Sequence, residues 1–253
     1  DTVAPIMELN WIGWVTVLAS ALLIGITKTG IPGIGILAII LLANVMPARL
    51  STGLILPVLI VGDIVAIIYY RRHAVWKHLG PLLPWALAGI VPGYYLLGTV
   101  TDAQFRPIIG GIALVLIVLQ HIHSRFTTET PSFIQSWYFA AIMGVLAGIT
   151  TMMANAAGPI MTVYLLAMRL PKHEFIGTGA WYYIIVNCTK VPFSADLGLI
   201  NPASLKINLI MAPMVVLGAL LGVLILKRVP QKYFTTAAEI LAAAAAAKLL
   251  LGI

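Results

Sequence analysis

Apolar residues fall into ten blocks, at approximately 11–27, 34–46, 50–70, 80–99, 105–122, 134–149, 159–169, 175–194, 204–227 and 233–252, separated by short polar stretches. A helix needs about 20 apolar residues to cross the hydrocarbon core of a bilayer, so the pattern predicts roughly ten membrane segments with short loops. The blocks at 34–46 and 159–169 are too short to cross. Each follows a break bearing polar residues, glycine and proline: Lys28-Thr29-Gly30-Ile31-Pro32-Gly33 before the first, and Thr150-Thr151-Met152-Met153-Ala154-Asn155-Ala156-Ala157-Gly158-Pro159 before the second. Each short block therefore reads as half of a broken or re-entrant helix pair. The expected fold is an all-α polytopic membrane protein.

The two breaks correspond. Shifting the chain by 124 residues lays Leu41-Leu42-Ala43 on Leu165-Leu166-Ala167, Pro47 on Pro171, Gly53 on Gly177 and Asp63 on Asn187; a one-residue adjustment brings Gly25-Ile26-Thr27 onto Gly148-Ile149-Thr150. Matches that keep one offset and include proline, glycine and a polar residue favour duplication, with residues 1–124 as one five-segment repeat and 125–253 as the other. An odd number of crossings per half inverts the second repeat relative to the first. Arg71, Arg72, Lys77, Arg125, Arg169, Lys172, Lys227, Arg228 and Lys232 then share one side, against Arg49, Arg106 and Lys206 on the other. The richer side is predicted to be cytoplasmic, with both termini outside.

Composition changes the picture by exclusion. Hydrophobic residues make up 61% of the 253 positions and charged residues 9%, so a water-soluble globule is ruled out and the lipid bilayer is the expected solvent. The formal charge of +7 comes from short dispersed clusters without a basic stripe, which argues for membrane topology rather than nucleic acid. No cationic region precedes the run from Trp11 to Ile26, so that run reads as a first span rather than a cleaved leader. Cys188 is the only cysteine and has no intrachain disulfide partner. The alanine run from Ala242 to Ala247 reads as a helix allowing close contact with a neighbour.

Candidate chemistry gathers at the breaks. Free backbone groups at membrane depth persist only where protein or a wet cavity covers them. Helices starting at Pro32-Gly33 and Gly158-Pro159 would aim unpaired N–H groups at that cavity, beside Lys28 and the hydroxyls of Thr27, Thr29, Thr150 and Thr151, an environment suited to an oxyanion. The plainer reading is a pair of kinked helices whose threonines bond their own preceding turn. Two corresponding breaks in inverted halves favour a binding site.

Asp63 lies in the apolar run from Leu54 to Tyr70 and needs a partner or a proton; Lys28 and Lys190 are the candidate partners, and the residue reads either as a structural ion pair or as a coupling group. Lys190 either contacts an anion or snorkels to the interface, and Asn155 and Asn187 either donate to an oxyanion or bridge helices. Trp181, Tyr182 and Tyr183 read as an interfacial belt or the wall of a substrate path. His73, His78, His121, His123 and His173 lack metal-ligand spacing, and the chain carries no Walker, dinucleotide or nucleophile-elbow motif, so no metal, cofactor or enzymatic activity is predicted.

At these residues the chain resembles the TauE/SafE family of sulfite and organosulfonate exporters. The resemblance rests on Gly25-Ile26-Thr27-Lys28-Thr29-Gly30-Ile31-Pro32-Gly33, on Leu56-Pro57 with Asp63 and Tyr70-Arg71-Arg72-His73, on the stretch from Thr151 to Pro159, and on Asn187-Cys188-Thr189-Lys190-Val191-Pro192-Phe193. It implies an inner-membrane permease of two related halves that moves sulfite, sulfonates or similar small anions, usually outward. It also implies pathway roles for Lys28, Thr29, Gly30, Gly33, Asn155, Gly158, Asn187 and Lys190. Many relatives have denser glycine clusters at both breaks than the Ile31-Pro32 and Met152-Met153 found here. The resulting expectation is a secondary transporter of a small sulfur-containing anion, with an anion channel and a non-transporting membrane subunit as rivals. Oligomeric state is left open.

Overall fold

The computed structural model describes residues 10–35, 38, 41–42, 48–99, 114, 134 and 136–251. Among these, the regular elements are eight α-helices and one 3-10 turn: α1 (Trp11–Thr29), α2 (Ala48–Tyr70), the turn Arg71–His73, α3 (Trp76–Thr99), α4 (Trp137–Ala154), α5 (Ala157–Ala167), α6 (Lys172–Asp196), α7 (Pro202–Arg228) and α8 (Gln231–Leu251). Each α-helix corresponds to one apolar block of the sequence. The block at 105–122, apart from residue 114, and most of the block at 34–46 lie outside the described residues. Four helices, α1, α2, α3 and α7, contain stretches long and apolar enough to cross a membrane by length and composition. The protein is a multi-pass helical membrane protein.

Local chemistry sets several helix ends. Asn10 caps α1 by accepting from Gly13 N at 2.9 Å, and Ser136 caps α4 by accepting from Phe139 N at 3.3 Å. At α7, Asn201 and Ser204 form a reciprocal capping box with Pro202 at the first turn. The far end of α7 is closed in trans. Lys172 Nζ donates to the carbonyls of Leu226 at 2.7 Å and Val229 at 2.6 Å, satisfying acceptors that the last turn leaves open.

Both predicted breaks exist, but each is narrower than expected. Lys28 and Thr29, expected in the first break, still belong to α1, and Gly30 to Ile34 form a non-helical turn; Pro32 and Gly33, expected to open the next helix, lie inside this turn because Gly33 adopts the non-helical φ of +94°. In the second half, Thr150 to Ala154, expected to lie in the break, continue α4; the interruption is confined to Asn155 and Ala156, and α5 starts at Ala157 with Pro159 inside its first turn. Threonine and methionine keep their backbone N–H and tolerate helical geometry, so nothing breaks the ladder before Asn155 turns left-handed at φ 51°.

The helix directions follow from side-by-side contacts. A Cβ placed on Gly25 would fall 2.1 Å from the Val215 carbonyl oxygen, one on Gly218 would fall 2.0 Å from that of Leu22, and Gly222 lies against Thr29, so α1 and α7 run parallel. α3 and α4 are also parallel: a Cβ on Gly148 would fall 2.1 Å from the Ala86 oxygen, one on Gly89 would fall 2.5 Å from that of Val145, and Gly93 meets Ile149 and Met152. Small residues permit this approach where lipid supplies no hydrophobic drive between helices. Between α2 and α6, Asp63 meets Asn187 while Tyr70 and His73 meet Gly177, an antiparallel register.

Two apolar cores result. One joins α1, α2 and α7 through Val17, Ala21, Ile24, Leu54, Val58, Met211 and Val215, together with Ala38 and Leu42. The other is built mainly from α3, α4, α5, α6 and α8, with Leu82, Met143, Ile160, Tyr164, Val186 and Phe234 buried in it. The seam where α2 meets α6 lies between them.

Candidate functional site

The seam holds a line of buried polar groups. From α1, Lys28 Nζ lies 2.7 Å from Asp63 Oδ1 on α2, and 4.2 Å above the ring of Tyr183 on α6. The second carboxylate oxygen of Asp63 accepts from Asn187 Nδ2 at 2.7 Å. Asn187 Oδ1 in turn accepts from Lys190 Nζ at 3.4 Å, and that ammonium also donates to Thr151 Oγ1 at 3.0 Å and Asn155 Oδ1 at 2.6 Å. A continuous path therefore runs from the end of α1, through α2 and α6, to the end of α4. Asp63 is 0% exposed and Lys190 1%.

The spacing of each helix places these groups. Asn187 and Lys190 are three residues apart on α6, so their side chains share one face, which meets the Asp63 turn of α2. Lys28 reaches Asp63 because Gly62 keeps α2 open at the preceding position, where a Cβ would fall 2.9 Å from Lys28 Cγ. On α4, the left-handed turn at Asn155 sets its side chain within reach of Lys190.

The structure separates the readings that the sequence left open for several residues. Of the two candidate partners of Asp63, Lys28 pairs directly and Lys190 is linked through Asn187. Lys190 does not snorkel; it is buried among neutral oxygens. Three threonine hydroxyls are engaged with backbone: Thr27 donates to Leu23 O at 3.0 Å, Thr150 to Ala147 O at 3.1 Å, and Thr29 to Ala219 O at 2.6 Å across the contact with α7. Thr151 instead faces Lys190. Asn187 acts as a helix bridge that holds a carboxylate on one side and an ammonium on the other.

The three glycine landmarks divide. Gly30 and Gly33 sit against other helices, where a Cβ would fall 2.9 Å from Gly222 Cα and 2.4 Å from Leu241 Cβ. Among the described residues, an added Cβ at Gly158 would meet nothing within 4 Å, so the first turn of α5 is open toward them. That turn has no side-chain cap, and its leading N–H groups carry the partial positive charge of a helix start, close along the chain to Asn155. Tyr183 enters the site through its ring face under Lys28, a contact for which the sequence offered only a general aromatic cluster.

In charge terms the line is unequal. Lys28 and Asp63 neutralise one another, whereas the three acceptors of Lys190 are neutral and, among the described residues, it forms no ion pair. With all three groups ionised, the seam carries one excess positive charge, and charge buried in a dry protein interior demands compensation. The arrangement suits a small anion.

Comparison with known proteins agrees with that chemistry. The family model described as sulfite exporter TauE/SafE matches residues 17–249. No curated protein and no solved structure matches the chain. Both breaks, Asp63 and the Asn187-Lys190 turn fall within the matched span, and the chain belongs to the TauE/SafE family of sulfite exporters, which are membrane transporters rather than enzymes.

Proposed function

We propose that the protein is a secondary transporter of a small sulfur-containing oxyanion, such as sulfite or an organosulfonate, which binds at the α2–α6 seam and gains access to each side in turn. The observation that carries this reading is the largely buried line Lys28, Asp63, Asn187, Lys190, Thr151 and Asn155, in which Lys190 has no ion pair among the described residues. The start of α5, with no side-chain cap and no neighbour at Gly158 among the described residues, adds backbone donors suited to an oxyanion.

Alternating access is supported by the helix contacts. Leu22 and Gly25 have counterparts 123 residues on, at Val145 and Gly148, and Ala86 and Gly89 have counterparts 129 residues on, at Val215 and Gly218. The contacts of α1 with α7 are thus repeated, residue for residue, in those of α4 with α3. Of the corresponding helices, α2 and α6 run antiparallel, as two inverted repeats comprising residues 1–124 and 125–253 would require. One repeat rocking against the other would move the seam between the two sides. The family suggests a bacterial inner-membrane location, and the same inverted scheme would put both termini outside.

Purified protein reconstituted alone in liposomes tests the reading. Radiolabelled sulfite, thiosulfate, sulfate and sulfoacetate are expected to exchange across the membrane, with saturation and counterflow. Absence of flux for every anion would favour a non-transporting subunit, and unsaturable flux with measurable current would favour a channel; either outcome would sink the carrier.

A further inference from the structure

Two lysines line the seam, Lys190 buried and Lys28 nearly so, but among the described residues only Lys28 has a carboxylate. Asp63 and Asn187 are 124 residues apart, the offset that relates the two halves, and they touch one another. The amide of Asn187 therefore stands opposite Lys190 where the carboxylate of Asp63 stands opposite Lys28. In the first half the counter-charge is built in; in the second its place is taken by a neutral group.

An ammonium held at Nζ of Lys190 without a counter-charge carries a heavy desolvation penalty, and a desolvated anion in the same seam carries a comparable one. Brought together, each removes much of the other's penalty. Anion binding and protonation of this amine must therefore favour one another, as linkage requires.

We propose that Lys190 binds the transported anion and a proton as a pair. This rests on the anion-carrier reading above. The step is a simple one: a proton from solvent adds to the lone pair of Lys190 Nζ as the anion arrives, no other bond forms or breaks, and the proton leaves when the anion does. A monoanion then moves as a neutral pair, which lowers the barrier to carrying it through the dry seam. Thr151, Asn155 and Asn187 hold the ammonium in place and surrender one of its donors to the anion.

Among the described residues, the other ionisable groups around Lys190 do not provide this. From α1 comes Lys28, a like charge already paired, and from α2 Asp63, occupied by Lys28 and Asn187. On α6 itself, Tyr183 lies under Lys28, and Cys188 lies two residues before Lys190. α3 brings Tyr94 to Phe193, where its hydroxyl bonds Asp196, and Tyr164 of α5 donates to His78 O. α8 meets the start of α6 through Phe234 and Phe175. The face of α4 toward Lys190 presents Thr151 and Asn155, neither of which titrates.

Calorimetric titration in detergent, repeated in buffers of different ionisation enthalpy, counts the protons taken up with each anion. Methanesulfonate, sulfoacetate and sulfate serve as probes because none of them titrates between about pH 5.5 and 8.5. For the wild type, the expected result is uptake approaching one proton per anion at the alkaline end, with affinity weakening by up to roughly tenfold per pH unit there. Lys190→Arg carries its charge at every pH and should bind without proton uptake, whereas Lys190→Gln should lose binding while keeping the melting behaviour of a folded protein. Binding by the wild type with no proton uptake at any pH overturns the inference and leaves the carrier intact. Proton uptake that persists in Lys190→Arg or Lys190→Gln also overturns it, placing the proton elsewhere. If none of the probes, nor sulfite, binds the wild type, the carrier reading falls and this inference with it.

Discussion

Asp63 and Lys28 show how one pair of charges can be tolerated at membrane depth. Their atoms lie 2.7 Å apart with the carboxylate wholly buried, and Asn187 satisfies the remaining carboxylate oxygen. Removing one member should therefore cost more than removing both. Lys28→Met is expected to lower stability by about 3–5 kcal/mol, because an unpaired buried carboxylate remains, and adding Asp63→Asn should recover much of that loss. Thermal or denaturant unfolding in detergent measures both, and a Lys28→Met protein as stable as the wild type would contradict the buried pair. The need for such a partner was legible from one acidic residue in an unbroken apolar run. The role of Asn187 was not, because a single asparagine in an apolar helix is compatible with many partners until the crossing of α2 and α6 is known. The same limit applied to the hydroxyls: sequence placed Thr29 and Thr151 in similar settings, and only packing sends one to the Ala219 carbonyl and the other to Lys190.

At the scale of helices, the glycine-lined contacts decide stability. Gly25 and Gly148 each leave only about 2 Å between an added Cβ and a backbone oxygen of the parallel neighbour, and that oxygen belongs to a helix rather than to a movable side chain. Gly25→Ala and Gly148→Ala should each destabilise by about 3 kcal/mol or more, by forcing helices apart. Gly80, on α3, is exposed and an added Cβ meets nothing within 4 Å among the described residues, so Gly80→Ala should be neutral or gain up to roughly 1 kcal/mol from helix propensity. Comparable melting temperatures for all three variants would show that these contacts do not fix the helix spacing. The eight described helices were legible as apolar blocks because lipid imposes a length and a composition on each segment. The extent of the second break was less legible. Glycine, proline and polar residues mark a region where a helix is free to stop, but the stopping residue is set by which one takes the left-handed turn, here Asn155.

Over the whole molecule, contacts sort the loops between two faces. Gly177 near the start of α6 meets Tyr70 and His73, and Lys172 reaches Leu226 and Val229, so the α2–α3 turn, the start of α6 and the α7–α8 turn share one face. That face gathers Arg71, Arg72, Lys77, Lys172, Lys227, Arg228 and Lys232, while the α6–α7 turn near Ile200 lies at the opposite end of α6 with Lys206 beyond it. The positive charge noted in the sequence thus segregates by face among the described helices, which is the asymmetry that orients membrane proteins toward the cytoplasm. In a Cys188→Ala background, a cysteine at Ile200 should be labelled by a membrane-impermeant maleimide in intact cells, and one at Ala74 only after permeabilisation. Both positions lie in turns outside the helices, so labelling reads the topology rather than the packing. The reverse pattern would turn the protein over and place the basic face outside. Equal labelling of both sites in intact cells would contradict the antiparallel pairing of α2 and α6, on which the separation of the two faces depends.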